Sequence, residues 1–233
     1  DEFKGAKGDE IVLYDPPGAK AHRVIFTGIG PAAEADREVL RSAAGRVVKQ
    51  ALQKKLRNIA VVVPSLDLPE IAQEAVIESL LEGAALANHR FVAYKTDKDS
   101  RPLKRIDLLV PPETARACGK MSIRVREICQ GSLMARDWVN MPANDKTPAA
   151  LARSIAGRAR SAGLQVKTFG QKELKKGKFG AIIAVSAASR NAPAMVELVH
   201  APKGVRKTVV IVGKGVTFDS GGLSIKQADS MHL

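Results

Sequence analysis

Short β-branched runs alternate with longer helical stretches along most of this chain, and no other feature of the sequence restricts its fold as strongly. Glu10 to Tyr14 and His22 to Thr27 have strand character and are separated by the turn Pro16-Pro17-Gly18. Thr27-Gly28-Ile29-Gly30-Pro31 ends the second run and leads into a helical stretch, Ala35 to Leu56. Ile59 to Val63 reads as a buried strand, Pro69 to Ala87 as a helix, and the apolar run around Leu108 to Val110 as a further strand. Strands alternating with helices predict an α/β layer with a largely parallel sheet.

From Glu113 to Val139 the apolar residues Ile123, Ile128, Leu133 and Val139 recur at helical spacing among charged residues, which predicts one long helix. Met141-Pro142 stops it, and a helix so placed reads as a rigid connector between two domains. A second α/β segment is expected after it. Thr147-Pro148 caps a helix through Ala162, Gln165 to Thr168 forms a short strand, and a helix-like stretch lies near Lys172. Strands are predicted at Ala181 to Val185, at Met195 to His200, and at Thr208 to Val212, the most apolar of all.

Composition narrows the class. With 233 residues, 45% of them hydrophobic, the chain can supply a sizeable core. No apolar run approaches the roughly 20 residues needed to cross a bilayer. Asp1-Glu2-Phe3-Lys4-Gly5 has no apolar stretch of the secretory kind, so the default location is cytoplasmic and no membrane partner is expected. The chain starts on Asp1 rather than Met and stops at Met231-His232-Leu233, directly after its densest motif, so both ends read as cut. Cys118 and Cys129 fall in the long helical region, roughly 16 Å apart along its axis, which excludes a disulfide between them. A net charge of +13 would favour nucleic acid, but the basic residues are spread over helices and aromatics are only 4% of the chain.

The candidate chemistry lies where Thr208 to Val212 runs into Gly213-Lys214-Gly215-Val216-Thr217-Phe218-Asp219-Ser220-Gly221-Gly222 and then Leu223-Ser224-Ile225-Lys226. Polar groups at the carboxyl end of an apolar α/β strand stand where such sheets place ligands. A P-loop fails, because Gly215 follows Lys214 where Ser or Thr is needed. A dinucleotide fingerprint fails at Phe218. On the residues alone, a glycine-rich turn holding a simple Lys214–Asp219 ion pair stays open. The four histidines are scattered and form no HExxH helix, and Ser220 and Ser224 lack a recognisable nucleophile elbow. Trp138 and Met134 read as packing residues of the connecting helix.

The contiguous run Val212 to Lys226 resembles the metal-binding segment of the leucyl (cytosol) aminopeptidases, the M17 metallopeptidases. Asn140-Met141-Pro142-Ala143-Asn144 with Thr147-Pro148 is similar to the family's entry into the catalytic domain, and a weaker likeness reaches back to Arg23 to Gly30 and Phe3-Lys4-Gly5. The resemblance implies an N-terminal three-layer α/β domain at 1–115, a linker helix at 116–139, and the beginning of a mixed-sheet α/β metallopeptidase domain at 140–233, incomplete at its carboxyl end. It also implies a metal-dependent aminopeptidase acting on peptides, assembled as a homohexamer, with two divalent ions per subunit, manganese or zinc, and bicarbonate as a candidate base. Some relatives also contact DNA, so a DNA-binding or scaffold role is the alternative.

By position, Lys214 is similar to the lysine whose amine ligates one metal and Asp219 to the carboxylate that bridges both. Lys226 matches the lysine that polarises the substrate carbonyl. Deprotonating Lys214 from a free pKa near 10.4 costs roughly 4 to 5 kcal/mol at pH 7, which only a nearby dication offsets. Nitrogen with carboxylate suits zinc, manganese or cobalt better than calcium or magnesium. The family's remaining carboxylate ligands and its arginine are not among these residues, so the 233-residue chain alone is expected to be inactive. Gly177-Lys178-Phe179-Gly180, Ala187-Ala188-Ser189 and Gln227 depart from the family's usual pattern.

Overall fold

Asp36 begins the first well-packed element: its carboxylate accepts the Val39 amide at 2.7 Å and so caps α1, Arg37–Gln53. The computed structural model describes residues 3–63, 71–96, 101–204, 206–221 and 223–231. The chain divides into two compact units, Asp1–Asp137 and Trp138–Leu233. The architecture is mixed α/β, with its strands gathered into small sheets.

In the first unit, β1 (Glu10–Tyr14) and β2 (Arg23–Thr27) form an antiparallel hairpin, with Glu10 opposite Thr27 and Tyr14 opposite Arg23. This corrects the expectation of a largely parallel sheet. The link through Pro16-Pro17-Gly18 is too short for the crossover of a dozen or so residues that parallel strands need, and Asp15 and Gly18 turn it with positive φ. The parallel rule does hold for β3 (Asn58–Val62) and β4 (Arg105–Leu109), whose connection carries the helix α2, Gln73–Ala87. The expected start of that helix, at Pro69, lies outside the described residues.

The core of this unit is the contact of α1 with α2. Leu40, Val48, Ala51, Val76 and Ile77 are at most 1% exposed there, and Val63 and Leu103 close its edge. Small residues let the helices approach. A Cβ added at Gly83 would lie 2.1 Å from the Arg41 carbonyl oxygen, and one at Gly45 would sit 3.6 Å from the Ala87 methyl. Polar pairs flank the seam: Arg41 Nε donates to Glu82 at 2.5 Å, and Gln50 donates to Glu10 at 2.6 Å, tying the hairpin to α1.

The long helix is present as α3, Pro112–Asn140. Its buried side differs from the one the sequence suggested. Val125 and Cys129 are buried, and Cys118 and Met121 pack against the core, whereas Ile123, Ile128 and Val139 are exposed. Two apolar stripes compete on this helix, and the stripe at 118, 121, 125 and 129 is the one buried in the first unit. Both cysteines are free thiols. Glu78 of α2, with its side chain only 12% exposed, accepts from Arg37 of α1 and from Arg124 of α3, joining three helices through one carboxylate. Burial pushes the Glu78 carboxyl upward, but the two arginine hydrogen bonds oppose it and leave the group below its ordinary value.

In the second unit Thr147 caps α4 (Pro148–Ser161) by accepting the Ala150 amide, and Pro148 occupies the first turn, where its missing N–H is harmless. Ala152, Ala156 and Ala159 form the buried stripe of α4, on the helix that packs against β5 (Gln165–Phe169) and β6 (Met195–Val199). These strands pair antiparallel, with Gln165 opposite Val199. Between them lie α5 (Gln171–Lys176), its first turn closed by Gly170 N–H donating to Glu173, and α6 (Gly180–Ser186). The expected strand Ala181 to Val185 is therefore helical. A five-residue apolar run carries too little periodicity to separate the two states.

A second correction concerns Thr208 to Val212, which joins no strand ladder among the described residues. A strand exists only by pairing, and neither β5 nor β6 takes this run as a neighbour. A short helix, α7 (Ala228–Met231), follows later. No helix among the described residues is long and apolar enough to cross a membrane.

Two expectations follow for stability. Gly83→Ala forces a methyl into the backbone of α1 and is expected to cost about 2–3 kcal/mol in chemical denaturation. Glu78→Gln is expected to cost about 1–3 kcal/mol at neutral pH. Because folding depresses the Glu78 pKa, its contribution is complete above the ordinary carboxylate value and disappears as pH falls through the lowered one. Wild type and Glu78→Gln should accordingly converge in acid, and a gap independent of pH would contradict this.

Candidate metal centre

Between the apolar run and α7 the backbone folds into a closed turn. Lys226 N–H donates to the Ser220 carbonyl at 2.8 Å, bringing the two ends of Ser220 to Lys226 together. Gly221 makes this possible: its φ is +89°, and a Cβ there would lie 2.2 Å from the Ser224 carbonyl oxygen. Only glycine fits such a position without strain.

The closed turn sets the geometry of Asp219. Its Oδ1 accepts the Gly221 amide at 2.9 Å, an Asx-type contact that fixes the carboxylate against its own loop. Its Oδ2 accepts from Lys226 Nζ at 2.8 Å. The Lys226 hydrogen bond, then the Gly221 amide, then the lysine charge hold the Asp219 carboxyl below its ordinary value, and Lys214 adds a weaker pull through space. The pair is open to water, with side-chain exposures of 60% for Asp219 and 38% for Lys226. An exposed ion pair of this kind holds loosely and exchanges readily.

The structure thus brings Asp219 and Lys226 into contact and keeps Lys214 in their electrostatic reach. The Lys214–Asp219 ion pair that the residues alone left open is not formed directly: the side-chain partner of Asp219 is Lys226. The sequence reading missed that Ser220 closes the turn through its carbonyl and that Gly221 orients the carboxylate through its amide. Asp219-Ser220-Gly221 carried the signal, because Asp followed two residues later by Gly is a common Asx-turn pattern.

The donor types suit a divalent ion. Asp219 offers a carboxylate that pairs with the Lys226 ammonium, and Lys214 offers an amine on the same loop. Their number falls short of a full coordination shell, and no cluster of three or more His, Cys, Asp or Glu residues suited to a metal is found among the described residues.

Two family models cover most of the chain. Residues 1–98 match the N-terminal domain of the cytosol aminopeptidase family, and residues 133–233 match the catalytic domain of the same family. The chain belongs to the cytosol aminopeptidase family. The catalytic-domain match contains Lys214, Asp219 and Lys226.

Among curated members of the cytosol aminopeptidase family, a probable cytosol aminopeptidase of Cenarchaeum symbiosum is 37% identical over 97% of this chain and 45% of its own length. Another, from Desulfotalea psychrophila, is 33% identical over 99% of this chain and 48% of its own. The chain therefore spans about half the length of these relatives. Among solved structures, the bottromycin maturation enzyme BotP in complex with Mn superposes with a TM-score of 0.82 at 29% identity, covering 97% of this chain and 46% of that one. A tomato leucine aminopeptidase mutant gives 0.80 at 29% identity, covering 94% and 43%.

If Lys226 is what depresses Asp219, then Lys226→Met should move the Asp219 carboxyl back toward the ordinary carboxylate range in a carbon-detected NMR titration. An unchanged titration would show that the Gly221 amide alone sets it.

Proposed function

We propose that the protein acts as a metal-dependent aminopeptidase, releasing amino-terminal residues, leucine among them, from peptides. The observation that carries this reading is the Asp219 carboxylate, oriented by the Gly221 amide and holding the Lys226 ammonium on its other oxygen, in the same segment as the Lys214 amine and within the match to the family's catalytic domain. The manganese named in the similar structure supports divalent metal use. Two ions per subunit, manganese or zinc, are proposed, held in part by Lys214 and by Asp219 as the bridging group, with bicarbonate as a candidate base. When bound, such ions supply an acidified water near neutral pH and a Lewis-acid pull on the scissile carbonyl.

The residues of this chain divide the remaining work. Asp219 keeps its charge across the neutral range, because the contacts that depress it favour the anion. Lys214 serves as a donor only after losing its proton, so its loop must deliver it beside a dication. For Asp219 to hold a metal ion Lys226 would have to release Oδ2, and its ammonium would then be free to meet the carbonyl oxygen of a peptide. The openness of the pair makes that exchange easy. The task proposed for Lys226 is to offset negative charge that develops on the oxygen.

Two donors do not make a closed two-ion site, so the 233-residue chain by itself is proposed to bind metal weakly and to lack peptidase activity. The further donors are sought in the half of the relatives' length that this chain does not match. A hexameric assembly and a cytoplasmic location are proposed with the same reading.

The test uses a protein extended to the length of the relatives. Lys226→Ala should lower kcat on a leucyl substrate by about a hundredfold to a thousandfold while metal content, measured by elemental analysis, stays near the wild-type value. Asp219→Ala should lose metal and activity together. Parallel loss of both quantities in Lys226→Ala would reject the assigned division of roles.

A further inference from the structure

A cluster of reactive side chains lies at the turn end of the hairpin, built wholly from residues of the first unit. Tyr14 is the last residue of β1, and its register partner is Arg23, the first of β2. Directly opposed residues of an antiparallel pair present their side chains on the same face, and the Arg23 guanidinium lies 5.6 Å from the centre of the Tyr14 ring. Lys54, which follows the last turn of α1, donates from Nζ to the Tyr14 hydroxyl at 3.1 Å and stands 5.5 Å from the same ring centre. The neighbouring carboxylate is engaged elsewhere, with Asp15 Oδ1 hydrogen-bonded to His22 Nδ1 at 2.9 Å.

The hairpin is tied to α1 by other contacts as well, Gln50 donating to Glu10 at 2.6 Å and Arg46 to the Gly28 carbonyl at 3.0 Å. The Tyr14 residue is 60% exposed, so a molecule in solution reaches its hydroxyl. A phenol is a poor nucleophile until it loses its proton, and a hydrogen bond with a positive charge at its oxygen favours the anion. The Tyr14 hydroxyl is accordingly held below the ordinary tyrosine value, first by the Lys54 hydrogen bond, then by the Lys54 charge and, more weakly, by Arg23.

We propose that Tyr14 is a reactive tyrosine, a covalent modification site whose phenolic oxygen takes up an electrophilic sulfonyl centre with Lys54 and Arg23 as its activating cations. With a sulfonyl fluoride, the phenol gives its proton to water and its oxygen forms a bond to sulfur. The S–F bond breaks, and its electron pair leaves on fluoride; nothing is oxidised or reduced. The two cations that favour the phenolate also face the negative charge gathering on the sulfonyl oxygens and the departing fluoride. The site lies within residues 10–54 and does not need the metal reading to hold.

The experiment treats the 233-residue chain with a small aryl sulfonyl fluoride near neutral pH and follows the adducts by peptide mass spectrometry. Tyr94, the chain's other tyrosine and 52% exposed, serves as the internal reference. Tyr14 is expected to be labelled faster than Tyr94. Lys54→Met should slow labelling at Tyr14 about tenfold, and Lys54→Arg should keep most of the wild-type rate. Because the lysine lowers the pH at which the phenolate forms, Lys54→Met should also move the rise of the Tyr14 rate to higher pH. Arg23→Met should act in the same direction and less strongly. An unchanged Tyr94 rate in each variant separates lost activation from lost folding. The proposal is overturned by adducts on Lys54 with none on Tyr14, by equal rates at the two tyrosines of the wild type, or by a Tyr14 rate that Lys54→Met leaves unchanged.

Discussion

Asp219 cannot be understood apart from the turn that closes on it. The Lys226 amide bonded to the Ser220 carbonyl shapes a loop in which one carboxylate oxygen meets the Gly221 amide and the other meets the Lys226 ammonium. Both contacts favour the anion, so the loop maintains a negative charge whose Oδ2 is held by the exchangeable Lys226 ammonium. Everything proposed about the metal chemistry of this protein uses that single feature. Gly221 has no substitute in the arrangement, because a side chain there would strike the Ser224 carbonyl.

The first unit contributes a different kind of order. Its helices α1 and α2 meet through Gly83 and Gly45 closely enough for Leu40, Val48, Val76 and Ile77 to lose almost all contact with water. Glu78 then joins α3 to that pair through two arginines. This unit carries none of the candidate metal donors, all of which lie in the second.

Much of this was legible in the sequence where a local rule had one solution. Thr147-Pro148 could only begin a helix, and the two parallel strands β3 and β4 followed from runs separated by a helix-length connection. The glycines around Lys214 and after Asp219 drew attention to that loop, while the roles of Lys214, Asp219 and Lys226 came from the family resemblance. What the sequence did not reveal depended on partners. Ala181 to Val185 is helical although so short an apolar run fits either state, and α3 buries Val125 and Cys129, the stripe that meets the neighbouring core, in place of Ile123 and Ile128. Thr208 to Val212 has strand composition but joins no strand ladder among the described residues, because composition alone does not supply a pairing neighbour. The identity of the residue paired with Asp219 was hidden for a related reason: Lys214 and Lys226 are equally plausible along the chain, and only the turn geometry selects Lys226.

The central claim is that this loop is a place for divalent cations, with Asp219 as the principal anion. It is tested most directly by titrating manganese into the isotopically labelled 233-residue chain and following paramagnetic broadening of its amide resonances, which reports even weak binding by proximity. The account predicts that broadening begins at residues 214–221 and vanishes in Asp219→Asn. Broadening that starts elsewhere, or that persists unchanged in Asp219→Asn, would contradict it.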